Sequence, residues 1–194
     1  VSEENQKLLT FVNQMNLPAG YTTKTGGVNE ENQKSVQSIL QAMLLSSILI
    51  LITMVVQFQS FRKAIIVLMV IPLAVSSVFL AFALLGIPLS FPALIGVLSL
   101  FGIVVTNSMF IVDKINLNMR EGMQYTEAIA DAGASRLEPI ILTKLTAVFG
   151  LLPITLADAL WQGLGGAIIS GLLVASSIML FFIPVVYYIW MKKE

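Results

Sequence analysis

The chain sorts its apolar residues into long unbroken runs separated by short polar breaks. Five runs stand out: Ser38–Val56, Ala64–Gly86, Ser90–Val112, Pro139–Ala157 and Leu164–Met191. At about 1.5 Å rise per residue even the shortest reaches roughly 28 Å as a helix, close to the hydrocarbon thickness of a bilayer. The pattern predicts an all-α polytopic membrane protein: a transmembrane region over residues 38–194, with spans at 38–56, 64–86, 90–112, 139–157 and 164–191. Pro72, Pro153 and Pro184 lie inside spans, where freed carbonyls bend a helix or are satisfied by neighbours. Small residues recur at close-packing intervals, Ala42 with Ser46, Gly166 with Ser170 and Gly171 with Ala175, and predict tight helix–helix crossings.

The remaining segments read differently. Ser2–Met15 has Leu8, Phe11, Val12 and Met15 on one helical face, with Ser2 as N-cap. Leu17–Gly20 is turn chemistry, Tyr21–Thr25 reads as a short strand, and Gly26-Gly27 ends it. From Asn29 the pattern predicts a helix that continues unbroken into the first span. One helix and one strand cannot bury a core alone, so residues 1–37 are expected to complete an α+β domain lying mostly elsewhere in a longer polypeptide. The opening on Val1, directly into polar sequence, predicts the same: a C-terminal piece of a polytopic protein. Residues 113–138 read as the longest loop, with a short helix over Tyr125–Ala132 lying on the membrane surface, Glu127 and Asp131 facing water.

Composition agrees: 57% of residues are apolar and 11% charged, about half the charged share of a soluble domain. Cys and His are both absent, which excludes disulfides and argues against a conventional zinc or haem site. No Ser/His/Asp, Cys/His, metal or phosphate-loop constellation is present, so the chain reads as no enzyme, with no cofactor and no metal site. Nothing in it points to nucleic acid. Basic residues fix the expected orientation. With the N-terminal segment outside, Arg62-Lys63, Lys114, Arg120, Arg136 and Lys192-Lys193 fall inside, and the outer connections 87–89 and 158–163 carry no Lys or Arg. The N-terminus is thus expected to be extracytoplasmic and the C-terminus cytoplasmic.

The polar residues inside the spans carry the candidate chemistry. Lys144, six residues into the fourth span, has no Asp or Glu at its depth in any span, and an intramembrane charge is by default a functional candidate. Thr106 and Asn107 lie about 9–10 Å in from the end of the third span, and Lys144 about 8 Å in from Pro139. Opposite chain directions bring Thr106, Asn107, Thr143 and Lys144 to similar depth. The structural alternatives are that Lys144 snorkels to the inner headgroups and that Asn107 makes an interhelical hydrogen bond without a transport role.

These residues carry a resemblance. Phe101-Gly-Ile-Val-Val-Thr-Asn-Ser-Met-Phe-Ile-Val-Asp113 resembles the third-from-last span of resistance-nodulation-division (RND) efflux permeases. Glu121-Gly-Met, Glu127-Ala-Ile and Arg136-Leu-Glu-Pro-Ile-Ile-Leu-Thr143 resemble their cytoplasmic loop and following helix. Gly150-Leu-Leu-Pro-Ile154 and Phe181-Phe-Ile-Pro-Val-Val-Tyr187 are similar to their two closing signatures. Ala19-Gly-Tyr, Gly26-Gly and Phe58-Gln-Ser-Phe61 fit the exit from the porter domain and the first inner loop. Any one motif is loose; together, in order and over essentially the whole chain, they are specific. The resemblance is to the hydrophobe/amphiphile-efflux, acriflavin-resistance-like branch.

The resemblance implies a proton-motive-force-driven antiporter of the bacterial inner membrane, exporting drugs or amphiphilic compounds, with protons as coupling ion. Residues 1–37 would be the end of an extracytoplasmic porter subdomain and its lead-in helix. Partners would be membrane lipid, the N-terminal half of the same permease, two further copies in a homotrimer, a periplasmic adaptor and an outer-membrane channel. Arg136 and Thr143 match relay positions of the family. The family's relay lysine precedes the asparagine of the third-from-last span, where this chain has Thr106, and Glu138 stands where a second Arg is frequent. Lys144 is the expected replacement charge, and the helix from Asn29 to Val56 the lever toward the porter domain. The alternatives are a non-transporting scaffold or assembly module, or an RND relative handling lipids, metal ions or protein export. A passive pore fits poorly, because no span carries a repeated polar stripe or charged ring.

Overall fold

The computed structural model describes residues 10–11 and 28–191. Thr10 and Phe11 are helical; the rest of the expected Ser2–Met15 helix, the turn and strand at 17–25, the porter remnant they belong to, and Lys192-Lys193 lie outside the described residues. The chain divides into two units, 1–38 and 39–194.

Among the described residues six helices follow one another: α1 Val28–Phe58, α2 Phe61–Leu68, α3 Val70–Leu85, α4 Phe91–Arg120, α5 Tyr125–Ala157 and α6 Ala159–Met191. Five segments are long and apolar enough to cross a membrane: 34–58, 61–85, 91–120, 125–157 and 161–191. The helix predicted from Asn29 starts at Val28 and is continuous to Phe58. The second span is two helices in one line, broken at Met69. Pro72 explains the break: it has no N–H for the Leu68 carbonyl, and its ring crowds that turn. The span ends on Gly86, which at φ 65° takes the left-handed conformation of a helix C-cap, and Ile87 N–H bonds back to Phe82.

The connection expected over 113–138 is far shorter in the structure. α4 runs on to Arg120 and α5 already starts at Tyr125, leaving four residues closed by Gly122 at φ 89°. The reason is packing. Ile111, Ile115 and Asn118 continue one buried stripe past the end of the apolar run, and nothing before Gly122 stops the helix. The Tyr125–Ala132 segment is not a separate surface helix but the first two turns of α5. Its Ala128, Ile129 and Ala132 are buried, with Ile129 and Ala132 part of the bundle's core. At 33 residues α5 is about 50 Å long, so these turns extend beyond a hydrocarbon layer of about 30 Å. Likewise the outer connection 158–163 is reduced to Asp158 between α5 and α6.

A hydrogen-bonded foot fixes where α5 stands. Asn118 of α4 is buried, and its Nδ2 donates to the Ala128 carbonyl at 3.0 Å and to Asp131 Oδ2 at 2.7 Å. Lys114 Nζ stands 4.0 Å from the same carboxylate, so Asp131 serves α4 as well as water. Tyr125 OH donates to the Tyr187 and Tyr188 carbonyls of α6 at 3.0 and 3.3 Å, with its ring tilted against Tyr188. Above this foot α5 buries little besides Ile140 and Lys144.

α4 and α6 form the central pair and approach closely through glycine. A Cβ on Gly96 would lie 2.7 Å from the Leu164 carbonyl oxygen and 2.8 Å from Ala167 Cβ. Without lipid–water contrast to drive helices together, such backbone proximity and its dispersion contacts supply much of the association. Gly171, on the other hand, meets only the end of the Leu100 side chain. Gly96→Ala is therefore expected to lower thermal stability by about 1–3 kcal/mol, because a carbonyl must move. Gly171→Ala should cost less, since Leu100 can change rotamer. Thermal unfolding of the two variants in detergent checks the order.

Candidate functional site

Residues Ser99, Gly102, Ile103, Thr106, Asn107 and Phe110 recur at helical spacing and so share one face of α4; Arg136, Pro139, Ile140 and Thr143 do the same on α5. These two faces line a groove of about 530 Å³. Four of the residues singled out from sequence, Thr106, Asn107, Arg136 and Thr143, thus come together along it. Its walls are otherwise apolar, so its few polar groups are conspicuous.

Each polar group has a definite disposition. Thr106 and Thr143 are exposed in the groove and each donates its hydroxyl to the carbonyl one turn back, to Gly102 at 2.8 Å and to Pro139 at 2.7 Å. A threonine so bonded keeps its oxygen lone pairs available to an incoming donor. Asn107 is 8% exposed. Arg136 crosses over the Phe110 ring, its guanidinium carbon 5.8 Å from the ring centroid, and its buried Nε has no hydrogen-bond partner. The arrangement offers donors and lone pairs with no carboxylate among the lining residues. It can receive a carboxyl group in either protonation state.

Lys144 is elsewhere. One residue after Thr143, it points about 100° further round α5. It is 6% exposed, and its Nζ donates to Ser177 Oγ of α6 at 3.3 Å. Ser177 in turn donates to the Leu173 carbonyl at 2.6 Å. The ammonium does not reach open solvent, and among the described residues no carboxylate pairs with it. The two faces of α5 therefore carry two polar features: the groove toward α4, and a lysine seated against α6.

Phe110 and Ser177 went unnoticed in sequence. Phe110 was detectable, four residues after Thr106 on the same face. Ser177 had no local signal, because its meeting with Lys144 depends on the register between α5 and α6.

A bundle of five helices long and apolar enough to cross a membrane, with a few polar groups gathered in a groove between two of them and a buried lysine beside it, is the architecture of a polytopic membrane protein. Residues 1–191 match the AcrB/AcrD/AcrF family, and the chain belongs to that family, within the RND superfamily. It is 35% identical over 179 residues to the multidrug resistance protein MdtC of Erwinia amylovora, covering 90% of this chain and 17% of that protein. It is 28% identical over 186 residues to the swarming motility protein SwrC of Bacillus subtilis (93% and 18%), and 26% identical over 185 residues to the cobalt-zinc-cadmium resistance protein CzcA of Cupriavidus metallidurans (93% and 17%). A crystal structure of a heavy metal efflux pump superposes with a TM-score of 0.78 at 25% identity, over 97% of this chain and 19% of that one. The chain spans less than a fifth of the length of these relatives.

The seat of Lys144 predicts a coupled pair. Ser177→Ala should destabilise the protein by about 0.5–1.5 kcal/mol when Lys144 is present and by close to nothing in a Lys144→Met background. A double-mutant cycle on thermal unfolding reads the difference.

Proposed function

We propose that this chain forms part of a proton-driven secondary transporter that exports drugs or amphiphilic compounds, and that the α4–α5 groove takes part in coupling. The observation that carries the reading is the convergence of Thr106, Asn107, Arg136 and Thr143 on one groove whose walls hold donors and lone pairs but no acid. Such a site is built for a carboxyl group from another segment of the polypeptide, whose protonation would change what it bonds to. With the carboxyl ionised, Arg136 and Asn107 hold it. Once protonated it becomes a donor, Thr106 and Thr143 can accept, and the helices repack. Lys144 joins the same cycle from the α6 side, where a shift of α5 against α6 would break its hydrogen bond to Ser177.

Export of amphiphiles is preferred to export of metal ions because the multidrug relatives share the higher identity, 32–35% against 26% for CzcA. The N-terminal segment is extracytoplasmic and the C-terminus cytoplasmic in this proposal, following the placement of Arg62, Lys63, Lys114, Arg120 and Arg136. It also places the protein in the bacterial inner membrane as a homotrimer working with a periplasmic adaptor and an outer-membrane channel.

Proteoliposomes containing the protein in the full length its cell makes, with an imposed proton gradient, test the reading. Wild-type vesicles should move an amphiphilic dye only when the gradient is present. Asn107→Leu and Lys144→Ala should each abolish that movement while the protein stays folded in the membrane. Gradient-independent transport, or normal transport by both variants, would contradict the proposal.

A further inference from the structure

A second cavity, of about 470 Å³, lies further along α4 toward its C-terminal end, between the α1–α2 turn and the end of α4. Its wall is mostly polar: Gln57, Lys63, Asp113, Asn116 and Arg120, with Phe58, Leu117 and Met119 as the apolar part. Asp113, Asn116, Leu117 and Arg120 are spaced to share one face of α4. Measured from Phe91 at about 1.5 Å per residue, Asp113 stands about 33 Å and Arg120 about 44 Å along the helix. A hydrocarbon layer starting at Phe91 ends at about 30 Å and its far headgroup layer about 5–8 Å further on, so Asp113 lies in the headgroup layer and Arg120 on its aqueous side, from which its long side chain can reach back.

The cavity is partly preorganised. Lys63 Nζ donates to Asn116 Oδ1 at 2.5 Å, and Tyr187 OH donates to the same oxygen at 3.1 Å, so the lysine is placed before any ligand arrives. Arg120 and Asp113 are exposed and form no ion pair among the described residues. Two cations and one carboxylate are a poor match for a simple anion, whose charge would meet Asp113 as well. They match a ligand with a phosphate and a primary ammonium a few bonds apart. Outside the mouth, Val56 is 72% exposed and Phe61 59% exposed, an apolar surface on which acyl chains can lie.

We propose that this cavity binds the headgroup of a phosphatidylethanolamine lipid, with Lys63 and Arg120 on the phosphate and Asp113 on the ammonium. The proposal goes beyond the transport reading and rests only on the chain crossing a membrane. Choline lipids present no N–H to Asp113, and glycerol lipids present no cation to it.

Native mass spectrometry of the full-length protein tests this, after exchange into equal amounts of phosphatidylethanolamine, phosphatidylcholine and phosphatidylglycerol with identical acyl chains. The wild type should retain at least one ethanolamine lipid with about tenfold preference over the other two. Asp113→Asn should remove that preference, Asp113→Glu should keep it, and Arg120→Gln should lower retention of all three lipids at this site. Both positions are exposed, and an unchanged thermal unfolding profile confirms that each variant is folded. Equal retention of the three lipids by the wild type, or an undiminished ethanolamine preference in Asp113→Asn, would overturn the proposal. Soluble phosphoethanolamine in excess should leave the bound lipid in place; displacement would overturn the lipid assignment in favour of a free phosphoester.

Discussion

A polar group placed in hydrocarbon must find a partner or leave, and the architecture of this chain is arranged around that cost. Backbone groups meet it by forming helices throughout the spans. Side-chain hydroxyls meet it by bonding to carbonyls one turn back, as Ser47, Thr53, Ser76, Ser99, Thr146 and Thr155 all do. Few polar side chains escape this local solution. Asn107, Arg136 and Lys144 have no carbonyl of their own helix to satisfy them, and each is turned toward a neighbouring helix or the groove between helices. Ser176, fully buried on α6 with no partner for its hydroxyl among the described residues, is an exception; the larger polar side chains without a local partner gather at the site.

The position of that site follows from how α5 is held. Its first two turns are tied to α4 and α6 through Asn118, Tyr125 and the buried Ala128, Ile129 and Ala132. Beyond Pro139 its buried residues are Ile140 and Lys144, while Ala147 and Leu151 pack partly buried against the core and Thr155 lies close on Gly165 of α6, leaving one side open as the groove. The hydrogen bond missing at Pro139 lowers resistance to bending between the foot of α5 and the part above it. Because α4 and α6 are locked together by the Gly96 crossing, motion of α5 against them would be the softer response.

Much of this was legible in the sequence, and the parts that were not have physical reasons. The five spans followed from uninterrupted apolar runs, and the break before Pro72 from proline chemistry. Thr106, Asn107, Thr143 and Lys144 were expected at one depth, and Arg136 and Thr143 at relay positions of RND permeases; the groove contains Thr106, Asn107, Arg136 and Thr143, while Lys144 lies on the α6 side. The boundaries of α4 and α5 were misplaced because the reading stopped helices where hydropathy fell. The chain continues them for as long as one stripe, Ile111, Ile115 and Asn118, stays buried. The seat of Lys144 on Ser177 was out of reach, since it depends on the register of α5 on α6, which no local pattern encodes.

The account stands on Lys144 being enclosed between α5 and α6 inside the membrane rather than extended to the aqueous surface. Lysine footprinting with an amine-reactive ester, on protein in native membranes and read by mass spectrometry, measures this directly. Lys114, at the rim of the foot, should be modified readily, while Lys144 stays unmodified until the membrane protein is unfolded. Modification of Lys144 at the rate of Lys114 in the folded protein would place its ammonium in water and contradict the account.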